Sequence, residues 1–471
     1  MTRPLWTPSE LSQTFGPPSA LLEKAAGGVS IDTRTLKPAD LFIAIKGETH
    51  DGHDHVARAF EAGAAAALVS HLVEAPGPQF VVDDPLRAME RLGEAARRRS
   101  GASILAITGS VGKTSAKEMA RLALSAIGAT HASAASFNNH WGVPLTLARL
   151  PADAAFGVFE IGMNHAGEIT PLVGFVRPHV ALITTVAPVH IEYLGSIEAI
   201  ADAKAEIFSG VELGGAAVVN RDAPQFERLA AAARARELQL LSFGSSAGGE
   251  ARLIACEPAG ESSRISADIA GERIAFNLGA PGRHMAENAV GVLLAAHALG
   301  ASISRCAEVL AAFGPAKGRG ERFILRAPDG DFTLIDESYN ANPASMRAAL
   351  SLLGAAKPGP GGRRIAVIGD MLELGKDGAA LHADLASELM ANRVDLLFGA
   401  GPLTRALYDA APAAMRAAHA ERSDGVREPL VAAVRAGDVV MIKGSNGSRM
   451  GPLAVHLRER FELAAPGARG A

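Results

Sequence analysis

The hydrophobic residues of this chain form short runs that alternate with longer, helix-forming stretches. Such runs occur at residues 104–107, 158–161, 180–184 and 216–219. The same pattern returns later in the chain, at residues 332–335, 365–368, 396–398 and 439–442. Strands that alternate with helices pair most readily as a parallel sheet with crossover helices. The pattern therefore predicts an α/β fold.

The 471 residues divide into three regions. The first, residues 1–98, has short β-like runs and an Ala-rich helix, and it ends where a basic helix end meets Ser100-Gly101. The second, residues 99–314, holds the first alternating series, although its segment 238–277 favours short antiparallel strands. The third, residues 315–471, repeats the α/β pattern. Its polar and glycine-rich motifs mostly follow a strand, at the edge where open parallel sheets bind ligands.

Composition and charge narrow the class of protein. Apolar residues make up 48% and charged residues 20%, as in ordinary globular proteins, and the net charge is −4. A nucleic-acid partner is not expected, because there is no basic excess to neutralise phosphates. The N-terminus has no apolar signal-peptide core, no run of about 18 apolar residues predicts a membrane span, and the two cysteines form no CxxC pair. We therefore expect a cytoplasmic protein.

A glycine-containing motif follows the run at 104–107 and opens a predicted helix. It reads Thr108-Gly109-Ser110-Val111-Gly112-Lys113-Thr114. Its glycines let backbone N–H groups curl around an anion, and the helix N-terminus adds positive potential. In this interpretation Lys113 reaches the β- and γ-phosphates of ATP and the Thr114 hydroxyl binds Mg²⁺. Ile107 replaces the first glycine of the common motif, so this is a shortened variant. The alternative is a strand–helix turn with a surface lysine.

Two further side chains fit a magnesium site. Glu160 ends the run at 158–161, and a carboxylate at a strand end near phosphates is a ligand for a hard cation. The alternative is an edge glutamate in solvent, which its apolar neighbours disfavour. His190 follows the run at 180–184, but a single loop histidine is more often without function than a ligand.

Lys204 lies on the apolar face of a helix predicted over residues 197–208. The other residues on that face are apolar: Ile197, Ile200, Ala201 and Phe208. Burial lowers the pKa of a lysine, and the neutral amine can react with CO₂ to give a carbamate, an anionic ligand for a second Mg²⁺. In the alternative the stem is buried and the ammonium reaches water. The helical pattern alone favours neither the neutral, carbamate-forming lysine nor the lysine whose ammonium reaches water.

Taken together, these residues resemble the Mur ligase family of peptidoglycan synthesis, and the resemblance covers nearly the whole chain. It includes the short phosphate loop, Ser136-Phe137-Asn138-Asn139, Gly142-Val143-Pro144, Glu160-Ile161-Gly162, His190 and the 203–208 segment. The resemblance implies a central P-loop, ATPase-like domain with a parallel sheet, a Rossmann-like C-terminal domain and a small α/β N-terminal domain. It also implies a carbamylated Lys204 and ATP with two Mg²⁺ ions. Thr114 and Glu160 would hold one ion, and His190 and Lys204 the other.

Further motifs resemble one member of that family. They are residues 336–343 and 369–375, together with Lys443-Gly444-Ser445. The resemblance implies that the chain, a monomer, couples D-alanyl-D-alanine to UDP-N-acetylmuramoyl-tripeptide through an acyl phosphate, with the dipeptide on the C-terminal domain. The Asp-Asn-Pro-Arg sequence of the preceding, diaminopimelate-adding ligase is missing from the chain.

The N-terminal region matches the part of the family that binds the UDP substrate. The implied binding residues are Ser30, Asp32, Thr33, Arg34, Lys46, Asn138 and Asn139. Hydroxyl and backbone groups could contact uracil, and Arg34 or Lys46 could meet the diphosphate. Without the resemblance, a Ser/Asp/Arg turn at a strand start is the better interpretation of 30–34.

The nucleotide contacts outside the loop also come from the resemblance. His284 and Asn288 would border the adenine, Arg319 would meet the phosphates and Asp336 would hold the ribose. The alternatives are an ordinary helix start for the first two and a surface position in a basic linker for Arg319. Met285 stands where the family usually has asparagine, and a thioether cannot donate the hydrogen bonds of an amide.

Asn340, Asn342 and Ser345 are the candidates for binding the dipeptide. The alternative for them is turn and N-cap chemistry at a helix that begins near Pro343. Asp370, Glu373 and His382 could support the neighbouring loop, or act as caps and surface charges.

Two rival functions stay open at this point. One is another ligase of the same architecture, such as a folylpolyglutamate synthase or an earlier muramyl ligase. The motifs at 338–343 and 370–375 argue against it. The other is a nucleotide-dependent switch or scaffold that hydrolyses ATP only to change shape. The presence of Lys113, Glu160, His190 and Lys204 favours chemistry over scaffolding.

Overall fold

Three separate β-sheets, each covered by helices, organise the chain. The computed structural model describes residues 4–47, 50–134, 136–188, 191–260, 262–314 and 318–464. Each sheet lies within one of the three predicted regions. The predicted α/β class is therefore confirmed, while the domain boundaries themselves stay predictions.

The first sheet is small and fully parallel, with the order β1-β2-β3-β4. Its strands are β1 (Gly28–Ser30), β2 (Asp40–Ile43), β3 (Ala66–Val69) and β4 (Gln79–Val81). Its helices are α1 (Pro8–Phe15), α2 (Val56–Glu61) and α3 (Pro85–Arg99). The side chain of Asp84 accepts hydrogen bonds from the backbone of Leu86 and Arg87, which starts α3. This helix packs on the second domain and joins the two.

The second sheet has nine strands in the order β13-β12-β11-β10-β9-β8-β5-β7-β6. The strands from β5 to β10 pair in parallel: β5 (Ser103–Thr108), β6 (Thr130–Ala132), β7 (Phe156–Glu160), β8 (Val180–Ile183), β9 (Ala216–Asn220) and β10 (Gln239–Gly244). An antiparallel extension follows: β11 (Ala251–Ala259), β12 (Ser262–Ile269) and β13 (Glu272–Leu278). Antiparallel pairing in the segment 238–277 is therefore observed from β11 onwards, whereas β10 is parallel to β9.

The helices of the second domain lie on both faces of this sheet. They are α4 (Lys113–Ser125), α5 (Gly142–Ala148), α6 (Ile169–Val176), α7 (Ile191–Leu194), α8 (Ile197–Ala205), α9 (Phe226–Arg234), α10 (Arg283–Ala298) and α11 (Ile303–Glu308). One apolar cluster covers one face and continues into the first domain. Hydrogen bonds cross that junction, among them a buried one from Trp6 Nε1 to the Ala148 carbonyl and a partly buried one from Arg149 Nε to the Val29 carbonyl. The first two domains therefore share a core.

The third sheet has the order β18-β17-β16-β19-β15-β14-β20. Its strands are β14 (Glu321–Ala327), β15 (Gly330–Glu337), β16 (Arg364–Gly369), β17 (Leu396–Ala400), β18 (Arg416–Ala420), β19 (Val439–Lys443) and β20 (Glu462–Leu463). Its helices are α12 (Pro343–Ala355), α13 (Gly378–Ala383), α14 (Leu385–Ala391), α15 (Thr404–Ala410), α16 (Arg427–Ala433) and α17 (Met450–Arg460). The strands from β15 to β19 are parallel, so their carboxyl ends form one edge.

That edge faces the phosphate loop of the second domain across a cavity. The third domain has its own apolar clusters on the two faces of its sheet, separate from the core of the first two domains. Among the described residues, no helix is long and apolar enough to cross a membrane.

Candidate active site

The loop between β5 and α4 has the shape of an anion cradle. Gly109 has φ +150°, and a Cβ there would lie 2.0 Å from Thr184 Oγ1. Gly112 has φ +87°, and a Cβ there would lie 2.6 Å from Asn288 Nδ2. Both positions therefore require glycine. The loop opens directly into the N-terminus of α4, where free backbone N–H groups favour an anion.

Neighbouring strand ends fix this loop in place. Ser110 Oγ donates a hydrogen bond to the Ala187 carbonyl at 2.9 Å, and Thr184 Oγ1 donates to the Val111 carbonyl at 2.6 Å. Thr108 is fully buried, and its hydroxyl has no partner within the described ranges. The cradle is thus held from the β8 side.

Glu160 joins the cradle at the end of β7, the strand next to β5. Thr114 Oγ1 donates to Glu160 Oε2 at 2.9 Å, and Asn138 Nδ2 donates to Glu160 Oε1 at 2.7 Å. Glu160 is 1% exposed. A carboxylate and a hydroxyl beside a phosphate cradle are the hard oxygen donors that suit Mg²⁺. The part of the chain that the structure describes has no cluster of three His, Cys, Asp or Glu side chains for a metal. The remaining ligands would then come from phosphate and water.

Lys113 lies at the first position of α4, below the loop. Its Nζ donates to the Gly109 carbonyl at 2.5 Å. Burial lowers the pKa of Lys113; the nearby Glu160 acts to raise it and Arg319 to lower it further. The guanidinium of Arg319, from the third domain, stacks 4.0 Å from the centre of the Tyr339 ring. Cations from two domains therefore converge on the phosphate loop.

Lys204 lies in α8, which is capped by Ser196 through a hydrogen bond from the backbone of Ala199. The residue is 2% exposed, and its side chain makes no hydrogen bond or ion pair with another residue that the structure describes. Burial lowers the pKa of Lys204 well below its usual 10.5, and the charge of Lys113 adds to the effect. A buried lysine beside a second cation is most stable as the neutral amine. This is the form that reacts with CO₂.

A cavity of about 270 Å³ lies between the second and third domains. The phosphate loop, Asn138 and Glu160 form one side of it. His284, Met285 and Asn288, from the start of α10, form a second side. The third domain closes it with seven polar or charged residues: Arg319, Glu337, Tyr339, Asn340, Asn342, Ser345 and Lys443. A nucleotide on the loop would therefore touch both domains.

Asp336 and Glu337 lie next to each other at the end of β15 but have different surroundings. Asp336 Oδ1 accepts hydrogen bonds from the Ser338 backbone at 3.0 Å and from Ser338 Oγ at 2.6 Å. Asp336 is 3% exposed and does not line the cavity, whereas Glu337 does. Successive residues of a strand point to opposite faces, which separates the two carboxylates.

The predicted dipeptide residues lie on the same edge. Asn342 caps α12 by accepting a hydrogen bond from the Ser345 backbone at 2.9 Å, and Ser345 Oγ returns a bond from the Asn342 backbone at 3.0 Å. Asn340 Oδ1 accepts from the Ala341 backbone at 2.9 Å. All three residues line the cavity, and two of them form a capping box. The helix-capping role that was the alternative interpretation is thus observed for Asn342 and Ser345. Binding of the dipeptide by these residues stays a prediction.

The predicted UDP site lies in the first domain, and none of its residues there lines the cavity. Ser30 Oγ donates to the Asp32 carbonyl at 3.0 Å, and Arg34 forms an ion pair with Asp32 at 2.6 Å. Lys46 Nζ lies 3.8 Å from Asp51. The side chains of residues 30–34 thus form a local turn, which agrees with the alternative interpretation. Arg34 is exposed.

A second cavity, of about 550 Å³, lies farther along the carboxyl edge of the third sheet. Its lining includes Asp370 after β16, Gly401 after β17, Arg422 after β18 and Arg449 after β19. None of the predicted binding or catalytic residues lies in it. The loop after β16 is tied to the end of β19, since Ser445 Oγ accepts a hydrogen bond from the Leu372 backbone at 2.9 Å.

Comparisons with known proteins follow the same three-part division. Family models match residues 26–99 (Mur ligase family, catalytic domain), 107–296 (Mur ligase middle domain) and 318–446 (Mur ligase, glutamate ligase domain). The UDP-N-acetylmuramoyl-tripeptide–D-alanyl-D-alanine ligase of Rickettsia prowazekii is 32% identical over 90% of this chain and 93% of its own. The ligase of that name from Escherichia coli (strain K12) is 33% identical over 92% of this chain and 93% of its own.

The chain belongs to the Mur ligase family.

Solved structures agree with this membership. A crystal structure of MurF from Acinetobacter baumannii is 30% identical, has a TM-score of 0.82 and covers 96% of this chain and 99% of that chain. The MurF ligase from Thermotoga maritima in complex with ADP is 22% identical, with a TM-score of 0.73 and 92% of this chain covered, and supports the fold alone. The predicted fold class of this Mur ligase, with a central ATPase-like and a C-terminal Rossmann-like domain, is therefore confirmed.

Only part of the predicted site of this Mur ligase lines the first cavity; Thr108, Gly109, Lys204 and Asp336 are among the predicted residues that do not. The loop residues 110–114, Asn138, Glu160, His284, Asn288 and Arg319 lie around one cavity. Asn139 lies just before α5, where its Oδ1 accepts hydrogen bonds from the Trp141 backbone at 3.2 Å and the Gly142 backbone at 2.9 Å, and its contact with the UDP substrate stays a prediction. His190 lies outside the described residues, and its role stays a prediction.

Three side chains in this neighbourhood have no role predicted from the sequence motifs. Glu337 and Lys443 line the cavity from β15 and β19. Lys117 is fully buried in α4 and donates to the Ser133 carbonyl at 2.8 Å, while Ser133 Oγ accepts from the Glu160 backbone at 3.3 Å. A signal for Lys117 was present, since it interrupts an apolar stripe of α4 in the same way that Lys204 interrupts α8.

His382 supports the loop that follows β16 in this Mur ligase. It is fully buried; its Nε2 accepts from the Met371 backbone at 2.9 Å, and its Nδ1 donates to the Gly378 carbonyl at 2.6 Å. This pairing requires the neutral ring. Burial lowers the pKa of His382 below its usual 6.5. The stability contributed by the neutral ring is therefore present above pH 6.5 and is lost as the pH falls through the lower pKa of the folded state.

We expect His382→Gln to reduce the acid sensitivity of the third domain. Glutamine can accept from Met371 and donate to Gly378 at any pH, because its amide does not titrate. Denaturant unfolding between about pH 8 and pH 5 measures the effect. The free energy of unfolding should fall less steeply on acidification in the variant than in the wild type. Parallel pH dependences would show that the ring nitrogens do not control this stability.

Proposed function

We propose that this Mur ligase couples D-alanyl-D-alanine to UDP-N-acetylmuramoyl-tripeptide, using ATP and releasing ADP and phosphate. The relatives that carry this name match the chain over about nine tenths of its length. The observation that supports the chemistry most directly is one cavity that joins a phosphate cradle, a Thr114–Glu160 pair and Arg319 of another domain. In this proposal the reaction is the last step in making the precursor peptide.

The first half of the reaction transfers a phosphoryl group. The terminal carboxylate of the tripeptide attacks the γ-phosphate of ATP, and an acyl phosphate and ADP result. Charge develops on the phosphoryl oxygens, and Lys113 and Arg319 stabilise it from opposite sides of the cavity. Thr114 and Glu160 would hold Mg²⁺, which when bound supplies further positive charge at the phosphates.

Lys204 has a separate part in this proposal. As a carbamate it would offer an anionic oxygen for a second Mg²⁺, together with His190. Support comes from its burial and from the absence of a partner among the residues described. A lysine left as an unpaired buried cation beside Lys113 would be costly. Carbamylation removes that positive charge.

The second half of the reaction forms the amide bond. In the proposal, the amine of D-alanyl-D-alanine attacks the acyl carbon and phosphate leaves. Asn340, Asn342 and Ser345 bind the dipeptide at the edge of the third sheet. The cavity between the two domains keeps water away from the acyl phosphate, which would otherwise hydrolyse. The UDP portion of the acceptor occupies the first domain near Ser30, Thr33, Arg34 and Lys46.

Phosphate release with a panel of amines tests the substrate assignment. With UDP-N-acetylmuramoyl-tripeptide and ATP, we expect turnover that depends on D-alanyl-D-alanine and is absent with glutamate or diaminopimelate. Turnover with glutamate alone would indicate a folylpolyglutamate synthase or an earlier muramyl ligase instead. ATP hydrolysis that does not depend on any carboxylate acceptor would indicate the switch or scaffold.

A further inference from the structure

Lys117 is a buried cation on the helix that opens from the phosphate loop. It is fully buried, although an apolar side chain of similar length could occupy the same space without the loss of hydration that a charge suffers there. It lies three residues after Thr114 and four after Lys113, so the three side chains project from one side of α4. The proposed reaction uses the first two of them. Packing alone does not explain a charge at the third.

The ammonium of Lys117 connects α4 to the end of β6. Its Nζ donates to the Ser133 carbonyl at 2.8 Å and to Glu118 Oε1 at 2.6 Å. Glu118 lies nearer the surface, where Arg121 Nε donates to its other oxygen at 2.8 Å. The carboxylate therefore balances the charge of the ammonium, while the carbonyl receives a directed bond. Ser133 is 2% exposed, so water has little access to that bond.

Ser133 links this anchor to Glu160. The backbone N–H of Glu160 donates to Ser133 Oγ at 3.3 Å. Ser133 also begins the loop between β6 and α5, which carries Asn138. Asn138 Nδ2 donates to Glu160 Oε1 at 2.7 Å, and the Gly162 backbone donates to the Asn138 carbonyl at 2.8 Å. The main chain and the side chain of Glu160 are therefore both held by the loop that Lys117 fastens to α4.

The direction of the Glu160 carboxylate depends on these bonds. One oxygen accepts from Thr114 and the other from Asn138, and the carboxylate lies on the cavity beside the phosphate loop. Partners behind a metal ligand commonly set its orientation, and their loss weakens metal binding. If the loop moved away from α4, Asn138 would move away from Glu160, and one of the two bonds to the carboxylate would be lost.

We propose that Lys117 is a positioning residue for the magnesium site: its buried ammonium fixes the β6–α5 loop on α4 and so holds Glu160 in the orientation that binds the cation. This inference rests on the proposed function, in which Thr114 and Glu160 hold Mg²⁺. Lys117 itself does not line the cavity. Its contribution is therefore to metal affinity, and the affinity for D-alanyl-D-alanine does not depend on it.

Lys117→Met tests this role, because methionine keeps much of the stem and removes the ammonium. Binding of Mn²⁺ to the enzyme–ADP complex, followed by the loss of the EPR signal of free Mn²⁺, should weaken about 10-fold, as for other partners of metal ligands. The Mg²⁺ concentration that gives half-maximal ligation should rise by a similar factor, while the KM for D-alanyl-D-alanine stays the same. Wild-type Mn²⁺ affinity in the folded variant, checked by circular dichroism, would overturn the inference.

Arg121→Met is the matched control, since it removes the other cation that contacts Glu118 and leaves the bond to Ser133 in place. It should bind Mn²⁺ as the wild type does; a loss equal to that of Lys117→Met would assign the effect to the charge of Glu118 and overturn the inference. In a double-mutant cycle, the losses from Lys117→Met and Asn138→Ala should be less than additive, because Lys117 acts through the loop that holds Asn138. Fully additive losses would also contradict the proposal.

Ser133→Ala provides a second test that does not depend on the folding of Lys117→Met. It removes the hydroxyl that accepts from the Glu160 backbone and should also weaken Mn²⁺ binding. Unchanged binding in this variant, or a wild type that holds no Mn²⁺ with ADP, would overturn the inference. Failure of the proposed function has a different result: Mn²⁺ binding would respond to Lys117→Met as expected, but the wild type would form no product that contains D-alanyl-D-alanine.

Discussion

Replacing Lys204 with alanine is expected to lower ligation by about 10³-fold, the scale seen when a group that stabilises transition-state charge is removed. The proposed carbamate would be lost, and with it an anionic ligand close to Lys113. The fold should persist, because the side chain of Lys204 makes no hydrogen bond to another described residue and the apolar face of α8 is otherwise intact. Steady-state assays of amide formation, with circular dichroism for the fold, measure both effects.

The second part of this prediction is that added formate or acetate restores activity to Lys204→Ala. A small carboxylate can occupy the space left by the side chain and supply the missing anionic oxygens, so part of the activity should return in Lys204→Ala and none should be gained by the wild type. Lys357→Ala is the control, since that lysine is exposed. Wild-type activity in Lys204→Ala, without any added anion, would remove the carbamate from the mechanism.

Replacing Lys113 with methionine is expected to abolish formation of the acyl phosphate, with a loss of about 10³-fold or more in kcat/KM. Methionine keeps much of the apolar stem, so the packing of α4 is retained while the charge beside the γ-phosphate is lost. Hydroxylamine traps an acyl phosphate as a hydroxamate, and this trapping should fall together with ligation, because both need the first half-reaction.

The exposed Lys24 offers a matched control for this change, since Lys24→Met removes the same charge from the surface of the first domain. It should leave hydroxamate formation and ligation unchanged. Retention of hydroxamate formation in Lys113→Met would mean that the phosphoryl group is stabilised by other cations, and Arg319 would then be the first candidate.

Local sequence patterns determined much of this site. The phosphate loop could be predicted because its glycines, lysine and threonine act within one short segment, where a strand must turn into a helix. Lys204 could be singled out because helical spacing alone places it among Ile200, Ala201 and Phe208. Glu160 could be predicted because it ends an apolar strand. In each case the deciding pattern lies within a few residues along the chain, and local secondary structure fixes it.

Other features depend on contacts between distant segments. The pairing of Glu337 with Lys443 joins residues that are register partners on β15 and β19, and β19 enters between β15 and β16 only after more than a hundred residues of intervening chain. The bond from Asn138 to Glu160 links a loop to the end of β7. The sequence motif, taken without this contact, predicts that Asn138 binds the UDP substrate.

The sequence by itself determined the α/β class, the phosphate loop and a lysine whose charge is unfavourable on its helix face. Tertiary structure alone decided which of the adjacent carboxylates, Asp336 and Glu337, lines the cavity. The physical reason is that neighbouring strand residues point to opposite faces. The face that meets the second domain depends on how two folded domains pack, and a pattern within one strand carries no information on that packing.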